Sequence, residues 1–444
     1  MRRHRRTAWG RYRAPLTAAI LALGLCGTGA FPAAAADAPG YAFSPGARTV
    51  EGATGTADAP RLDAGRVYRG SLPERGRLTY DLHLTEADAD ATAYVPVTAV
   101  PPPDATVTAT DGIRVSVRDA HGTACSYATA RFGAALSPHP VTALGKREAG
   151  KALCQGAGTY SVLVERLDTG NAGTGAAGRW DLEIAPVLEP RLSAPGPSEA
   201  PGNWDSATPE PLAGAPRDLA GGAGFTAARP LGQGVWRTTL VPGQTQFYKV
   251  PLDWGRRVRA TAELGGAQGH GYVGGALDLA LYNPVRGLAD DASLGYTGVR
   301  RPVSLVPLPP VEYANRYAAP AAVTALRFAG DYYLVLHLSD RLGGTFGRGP
   351  YDVTLRVRVD GRAHAGPGYA GRPVPDGVFT ATERGAVAAP VAVAGGGSRG
   401  DGTALKLVAA GGFGLGTVSL LVLGGWTVAA RRAQSRFRAQ NPTA

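Results

Sequence analysis

Two stretches of the chain alternate apolar and polar residues in the same register, 168 positions apart. "GRVYRGSLPERGRLTYDLHLTE", starting at Gly65, lies without a gap on "GVWRTTLVPGQTQFYKVPLDWG", starting at Gly234, with Arg66 on Gly234. Tyr68 meets Trp236, Arg69 meets Arg237, Leu72 meets Leu240, Tyr80 meets Tyr248, Leu82 meets Val250 and Leu84 meets Leu252. An apolar residue at every second position is the period of a strand that buries one face. Pro and Gly in "PERG" and "VPGQ" mark a turn before the second strand. Each copy is therefore expected to open on a hairpin.

The echo continues downstream. Ile113, Val115 and Val117 match Leu277, Leu279 and Leu281, "AGTYSVLVERL" matches "AGDYYLVLHLS", and "RWDLEIAPV" matches "PYDVTLRVRV", the last two at shifts of 172 and 171. Four segments in one order indicate an internal duplication whose copies differ by loop insertions. Short strands rich in Val, Leu, Tyr and Thr, with no amphipathic helix between them, predict an all-β chain of two antiparallel sandwiches. The expected core is Tyr68, Leu72, Tyr80, Val115, Tyr160, Leu163 and Trp180 in the first copy. In the second it is Trp236, Leu240, Tyr248, Leu279, Tyr332, Val335 and Tyr351.

The strand ending "TQFYKVPL", the later "LDLALYNP" and the closing "AGDYYLVL" resemble the bacterial pre-peptidase C-terminal domain, a jelly-roll-like sandwich of secreted proteins. The resemblance covers residues 230–360 best. The first copy, 62–187, departs from it, with Arg118 and Asp119 where the second has Tyr282 and Asn283. That family usually stands beside a protease domain, and no protease motif is present here. The layout also resembles actinobacterial cell-envelope proteins with a signal peptide, such sandwiches and one C-terminal helix.

Both chain ends point to the envelope. "MRRHRRTAWGRYR", an apolar run and "PAAAA" form a secretory signal over 1–36. Near the other end, 404–430 contains an uncharged stretch long enough to cross a bilayer as a helix, and Arg431 and Arg432 hold the following tail in the cytoplasm. Gly412 and Gly416 form a G-x-x-x-G pair suited to helix packing and a homodimer. Between these ends the expected parts are an extension over 37–61, sandwich one, a Pro/Ala/Gly-rich linker over 188–229, sandwich two and a flexible stem over 361–403.

The formal net charge of +11 changes little, because eleven of the 46 Lys and Arg lie in the two end segments, which hold no carboxylate. The remaining cations equal the 35 Asp and Glu, so no field for nucleic acid arises. Of three cysteines, Cys26 lies in the signal, leaving Cys125 and Cys154 to pair as a disulfide after export. Asp278, Asp290 and Asp291 are the candidate calcium ligands, expected in one loop region. The histidines His83, His121, His139, His270, His337 and His364 are dispersed in sequence, and "GGSRG" at 396–400 lacks the strand and helix of a hydrolase elbow. Tyr313, Arg316 and Tyr317, in a proline-rich insertion, are a candidate partner surface or a cover for a sheet edge. The expectation is a single-pass, extracytoplasmic, non-catalytic binding or scaffold protein, with a protein or wall-polysaccharide partner. An accessory subunit of a membrane complex and a hydrolase on a divergent sandwich are the alternatives.

Overall fold

A computed structural model of the protein describes residues 40–167, 178–207 and 212–382. The signal segment, the 404–430 span with Gly412 and Gly416, the basic tail and "GGSRG" lie outside them. Among the described residues no helix is long and apolar enough to cross a membrane.

Four sheets account for the described strands. In the first copy one sheet runs Arg48–Thr49, Tyr68–Leu72, Trp180–Ile184, Thr92–Val100, Val187–Glu189, with Val141–Arg147 also pairing to Thr92–Val100. The other runs Arg61–Leu62, Arg77–Leu84, Gly158–Leu167, Gly112–Arg118, Ala124–Arg131. The second copy repeats both orders: Arg217–Asp218, Gly234–Leu240, Tyr351–Gly361, Arg256–Leu264, Arg301–Ser304, and Arg229–Pro230, Thr245–Leu252, Gly330–Leu338, Val273–Tyr282, Leu288–Tyr296. One difference is local. Trp180–Ile184 and Val187–Glu189 keep a single register against Thr92–Val100 but break between them, at Ala185 and Pro186. Pro186 has no N–H to give the ladder, whereas Tyr351–Gly361 is unbroken.

The expected hairpins are not formed. Tyr68–Leu72 and Arg77–Leu84 belong to different sheets, as do Gly234–Leu240 and Thr245–Leu252, so each turn carries the chain across the sandwich. Both strands of each pair still bury their apolar set in one core, which is why alternation alone cannot separate an arch from a hairpin. Boundaries shift too. Within the expected extension Arg48–Thr49 pairs with Tyr68 and Arg69, and within the expected linker Arg217–Asp218 pairs with Trp236 and Arg237. The duplication thus reaches upstream: Leu62 and Leu231 are buried at matching places. The start of the expected stem is also structured. Leu188 and Val374 exchange backbone hydrogen bonds, Leu192 bridges to Tyr369, and Phe379 is buried and stacked on Phe328. Residues 369–379 hold apolar side chains that need cover, so they fold back instead of extending.

All fourteen expected core residues are buried. Leu163 and Val335 lie outside the two cores: Leu163 alternates with the core residues Val162 and Val164, and Val335 packs with Phe225, Phe247 and Ala228 on the outer face of its sheet. The Cys125–Cys154 disulfide is formed, tying Ala124–Arg131 to the loop after Val141–Arg147. At the end of that strand Arg147 is fully buried and donates to the carbonyls of Ala89, Ala91, Cys154 and Gly156. Its guanidinium also lies 5.5 Å from the Tyr160 ring centre. Replacing Arg147 by Met would keep the length but orphan these buried acceptors. The variant is expected to lose about 3 kcal/mol in urea unfolding, and Arg147→Lys is expected to recover part of it.

Candidate functional site

Sandwich one meets sandwich two through a seam built on charge. Glu183 lies on Trp180–Ile184 and alternates with the core residues Leu182 and Ile184, so it faces outward, away from its own core, yet it is fully buried. Arg286 from the second copy reaches it at 2.5 Å. Tyr41 Oη and the Ser44 amide donate to the same carboxylate, at 3.1 and 2.8 Å. Arg286 is presented by the turn after Val273–Tyr282. There Asn283 Oδ1 accepts from the amides of Val285 and Gly287, and Arg286 itself adopts φ 57°. Left-handed backbone at a non-glycine residue costs on the order of 1 kcal/mol, held here by the turn and the ion pair.

Two further pairs repeat the theme. Arg316 binds Glu189 at 2.6 Å and Arg327 binds Glu148 at 2.6 Å. Tyr94 links them: its hydroxyl donates to Glu189 at 2.7 Å and accepts from Arg327 at 3.0 Å. Burial alone would raise the Glu148 pKa, but Arg327 and Lys146 outweigh it and hold the carboxyl at about 2. Beside the charges, Tyr94, Val187, Val285, Phe328 and Phe379 form an apolar cluster drawn from both copies. At the other end of the seam the short Gly133–Ala135 helix packs so closely on Gly275 that a Cβ there would lie 2.4 Å from backbone.

The seam also gathers two histidines that the sequence leaves far apart. His139 and His337 stack with ring centres 4.4 Å apart. Ser137 Oγ accepts from the Asp340 amide and lies 3.0 Å from His337 Nε2, and Thr245 Oγ1 lies 3.0 Å from Nδ1, so both ring nitrogens have a hydroxyl partner whose direction follows the tautomer. Burial pushes His139 down to about 4, and burial together with His139 pushes His337 well below its usual range.

Along one rim of the seam runs a groove of about 670 Å³. Tyr313 and Arg316 of the Tyr313–Tyr317 turn stand in its wall, the guanidinium 3.4 Å from the Tyr313 ring centre. Tyr317 is 46% exposed at its edge. Asp90, Lys151 and Arg191 face them, and Glu189 and Arg327 form part of the floor. Arg316 is thus shared between the domain contact and the groove, while Tyr317 alone of the predicted trio is exposed. The aspartates do not assemble into the expected loop cluster. Asp278 and Asp291 sit on neighbouring strands, on the face opposite Leu279, and Asp290 is turned the other way by register, accepting from the Val306 amide at 2.8 Å. Among the described residues no group of three or more His, Cys, Asp or Glu is placed to hold a metal ion.

No family model matches the chain, and no curated protein matches it. Among solved structures it is similar to the CUB1-EGF-CUB2 region of human MASP-1/3, at 10% identity over 66% of this chain and 99% of that one, TM-score 0.17. It is also similar to the CBM22-1-CBM22-2 tandem of Paenibacillus barcinonensis Xyn10C, at 14% identity over 69% and 95%, TM-score 0.18. A third is the ANXUR2 extracellular domain of Arabidopsis thaliana, at 10% identity over 66% and 85%, TM-score 0.17. At such scores these likenesses carry no functional argument.

Two outcomes follow from the seam. Arg286→Met is expected to lose about 3–5 kcal/mol in unfolding free energy by stranding Glu183, and Arg286→Met with Glu183→Gln is expected to cost less than the sum of the singles. In acid, both histidines have folded values below their unfolded ones, so protonation favours the open chain. Stability should therefore fall as pH drops below about 6.5, by about 1.4 kcal/mol per pH unit for His139 until about pH 4. Asp278, raised by burial to about 6, acts in the opposite sense over the same range. A pH series of chemical denaturation on His139→Gln/His337→Gln should accordingly lose the decline between about pH 6.5 and 4.5, and keep the one below it to which Glu148 contributes.

Proposed function

We propose that the chain is a membrane-anchored, extracytoplasmic binding protein of the cell envelope, without catalytic activity, which holds a polysaccharide segment in the seam groove. The observation that carries the proposal is the groove itself, open along a joint that buried ion pairs keep at fixed geometry. Its wall offers donors from Lys151 and Arg191, acceptors from Asp90 and Glu148, and the exposed ring of Tyr317. Hydroxyl-rich ligands need donors and acceptors together, and the apolar face of a sugar ring suits an aromatic side chain. The Ser137–His337 contact supports the non-catalytic reading. His337 Nδ1 meets Thr245 instead of a carboxylate, and both Ser137 and His337 are buried under the seam. The signal and the C-terminal apolar stretch supply the location in this proposal.

Binding of the full chain to isolated cell-wall polysaccharide, read by co-sedimentation, tests it. Tyr317→Ala and Arg191→Ala, both at exposed positions, are expected to weaken binding about tenfold each without moving the melting temperature. Unchanged retention in both variants would remove the groove as the binding site.

A further inference from the structure

The seam groove runs on past its own rim. A second groove, of about 390 Å³, shares Asp90, Pro190 and Arg191 with it, so the two form one continuous track. Arg372 lines only the second groove, where the buried Ala91 and Leu188 give an apolar surface. Its segment is pinned through the backbone: the Ala370 amide donates to the Arg191 carbonyl at 2.8 Å, and Leu188 and Val374 exchange hydrogen bonds at 2.8 and 3.1 Å. Lys151 lines only the first groove and is held as firmly. Its loop is tied down by the Cys125–Cys154 disulfide and by Arg147, which donates to the Cys154 and Gly156 carbonyls at 2.8 and 3.0 Å. Gln155 Nε2 closes the same loop on the carbonyls of Lys151 and Leu153.

The charged side chains of the track are matched with one another except at two places. In the first groove Glu189 answers Arg316 and Glu148 answers Arg327, both at 2.6 Å. In the second, the Asp88 carboxylate accepts from the Thr85 hydroxyl at 2.6 Å and from the Thr85 amide at 3.3 Å. Where the grooves join, Asp90 and Arg191 stand 3.9 Å apart, their side chains 79% and 63% exposed. A pair so open to water contributes little, and a ligand can part it. Lys151 and Arg372 remain. Among the described residues neither of these two charged groups has an ion-pair or hydrogen-bond partner, whereas every carboxylate of the track has a donor.

We infer that one segment of an acidic polysaccharide lies across both grooves, with a ring carboxylate at Lys151 and another at Arg372. This rests on the proposed function and narrows its ligand to a chain of uronate type. Two cations without partners call for a ligand that brings its own anions, and a charge-assisted contact is about twice as strong as a neutral one. Because their backbone is already fixed, little further ordering is needed when the ligand arrives. Carboxylates carried on the sugar rings leave every ring in the chain, so ring faces can lie on Ala91 and Leu188 in one groove and on Tyr317 in the other. A chain too short to pass Asp90 and Arg191 meets only one of the two cations.

The test titrates the full chain by calorimetry with a long oligogalacturonate, a short one, and the long one fully methyl-esterified. The long acidic chain is expected to bind about tenfold more tightly than either of the others, and to weaken as salt rises. Arg372→Gln is expected to bring the long chain down to the affinity of the short one at unchanged melting temperature, and Lys151→Gln to weaken both. Arg348→Gln, exposed and outside both grooves, is expected to bind like the parent. Any one of four results would overturn the assignment: no binding of the long acidic chain, equal affinity for the long and short chains, equal affinity for the ester, or full affinity in Arg372→Gln. Tighter binding of a glycerol phosphate polymer of matched charge would do the same. If cell-wall polysaccharide still sediments with the chain and Tyr317→Ala still weakens it, the seam groove keeps its role and only the second groove and the acidic ligand fall; if that binding is lost as well, both readings fall together.

Discussion

Three glutamates of the first sandwich and three arginines of the second leave water together when the sandwiches meet, and the rest of the molecule is arranged around that event. Removing such charges from solvent costs several kcal/mol per ion, and attraction within the pair offsets this only where further hydrogen bonds complete the shell. The seam meets that condition. Glu183 takes Tyr41 and the Ser44 amide besides Arg286, and Glu189 takes Tyr94 and Tyr369 besides Arg316. A fully satisfied network favours one mutual orientation, because a small rotation would strand several charges at once. The groove at the rim inherits its shape from that orientation.

Much of the fold was legible because strand alternation reports burial directly. Tyr80, Leu82 and Leu84 and their counterparts Tyr248, Val250 and Leu252 occupy the places their period demanded. What alternation cannot report is which strand lies beside which, so the arches passed for hairpins. The edge segments at Arg48–Thr49 and Arg217–Asp218 are two residues long, too short to show any period, and they sit among Gly, Ala and Pro that suggest a linker. Val374 and Phe379, apolar residues in the expected stem, have to be covered: Val374 packs on the core of the first sandwich and Phe379 in the seam cluster.

The site was less legible, for a physical reason. Glu183 and Glu189 occupy outward positions of strands, where a carboxylate normally meets water, and Arg286 follows a turn sequence typical of exposed loops. Only the presence of a second sandwich makes them buried, and that is a property of the pair. His139 and His337 belong to different copies, further apart in sequence than the length of either sandwich, and meet only at the seam. Tyr313 and Arg316 were found through composition of the insertion, but their joint role in seam and groove needed the packing of Tyr94 and Glu189 to be seen.

The seam has a direction. In each of the three ion pairs that join the modules the acid comes from the earlier module and the arginine from the later one. A freshly doubled module begins with two identical faces, and identical faces invite head-to-tail chains of molecules without end. Splitting the signs between the twins closes that route: each half is complementary to its sibling and repels a replica of itself.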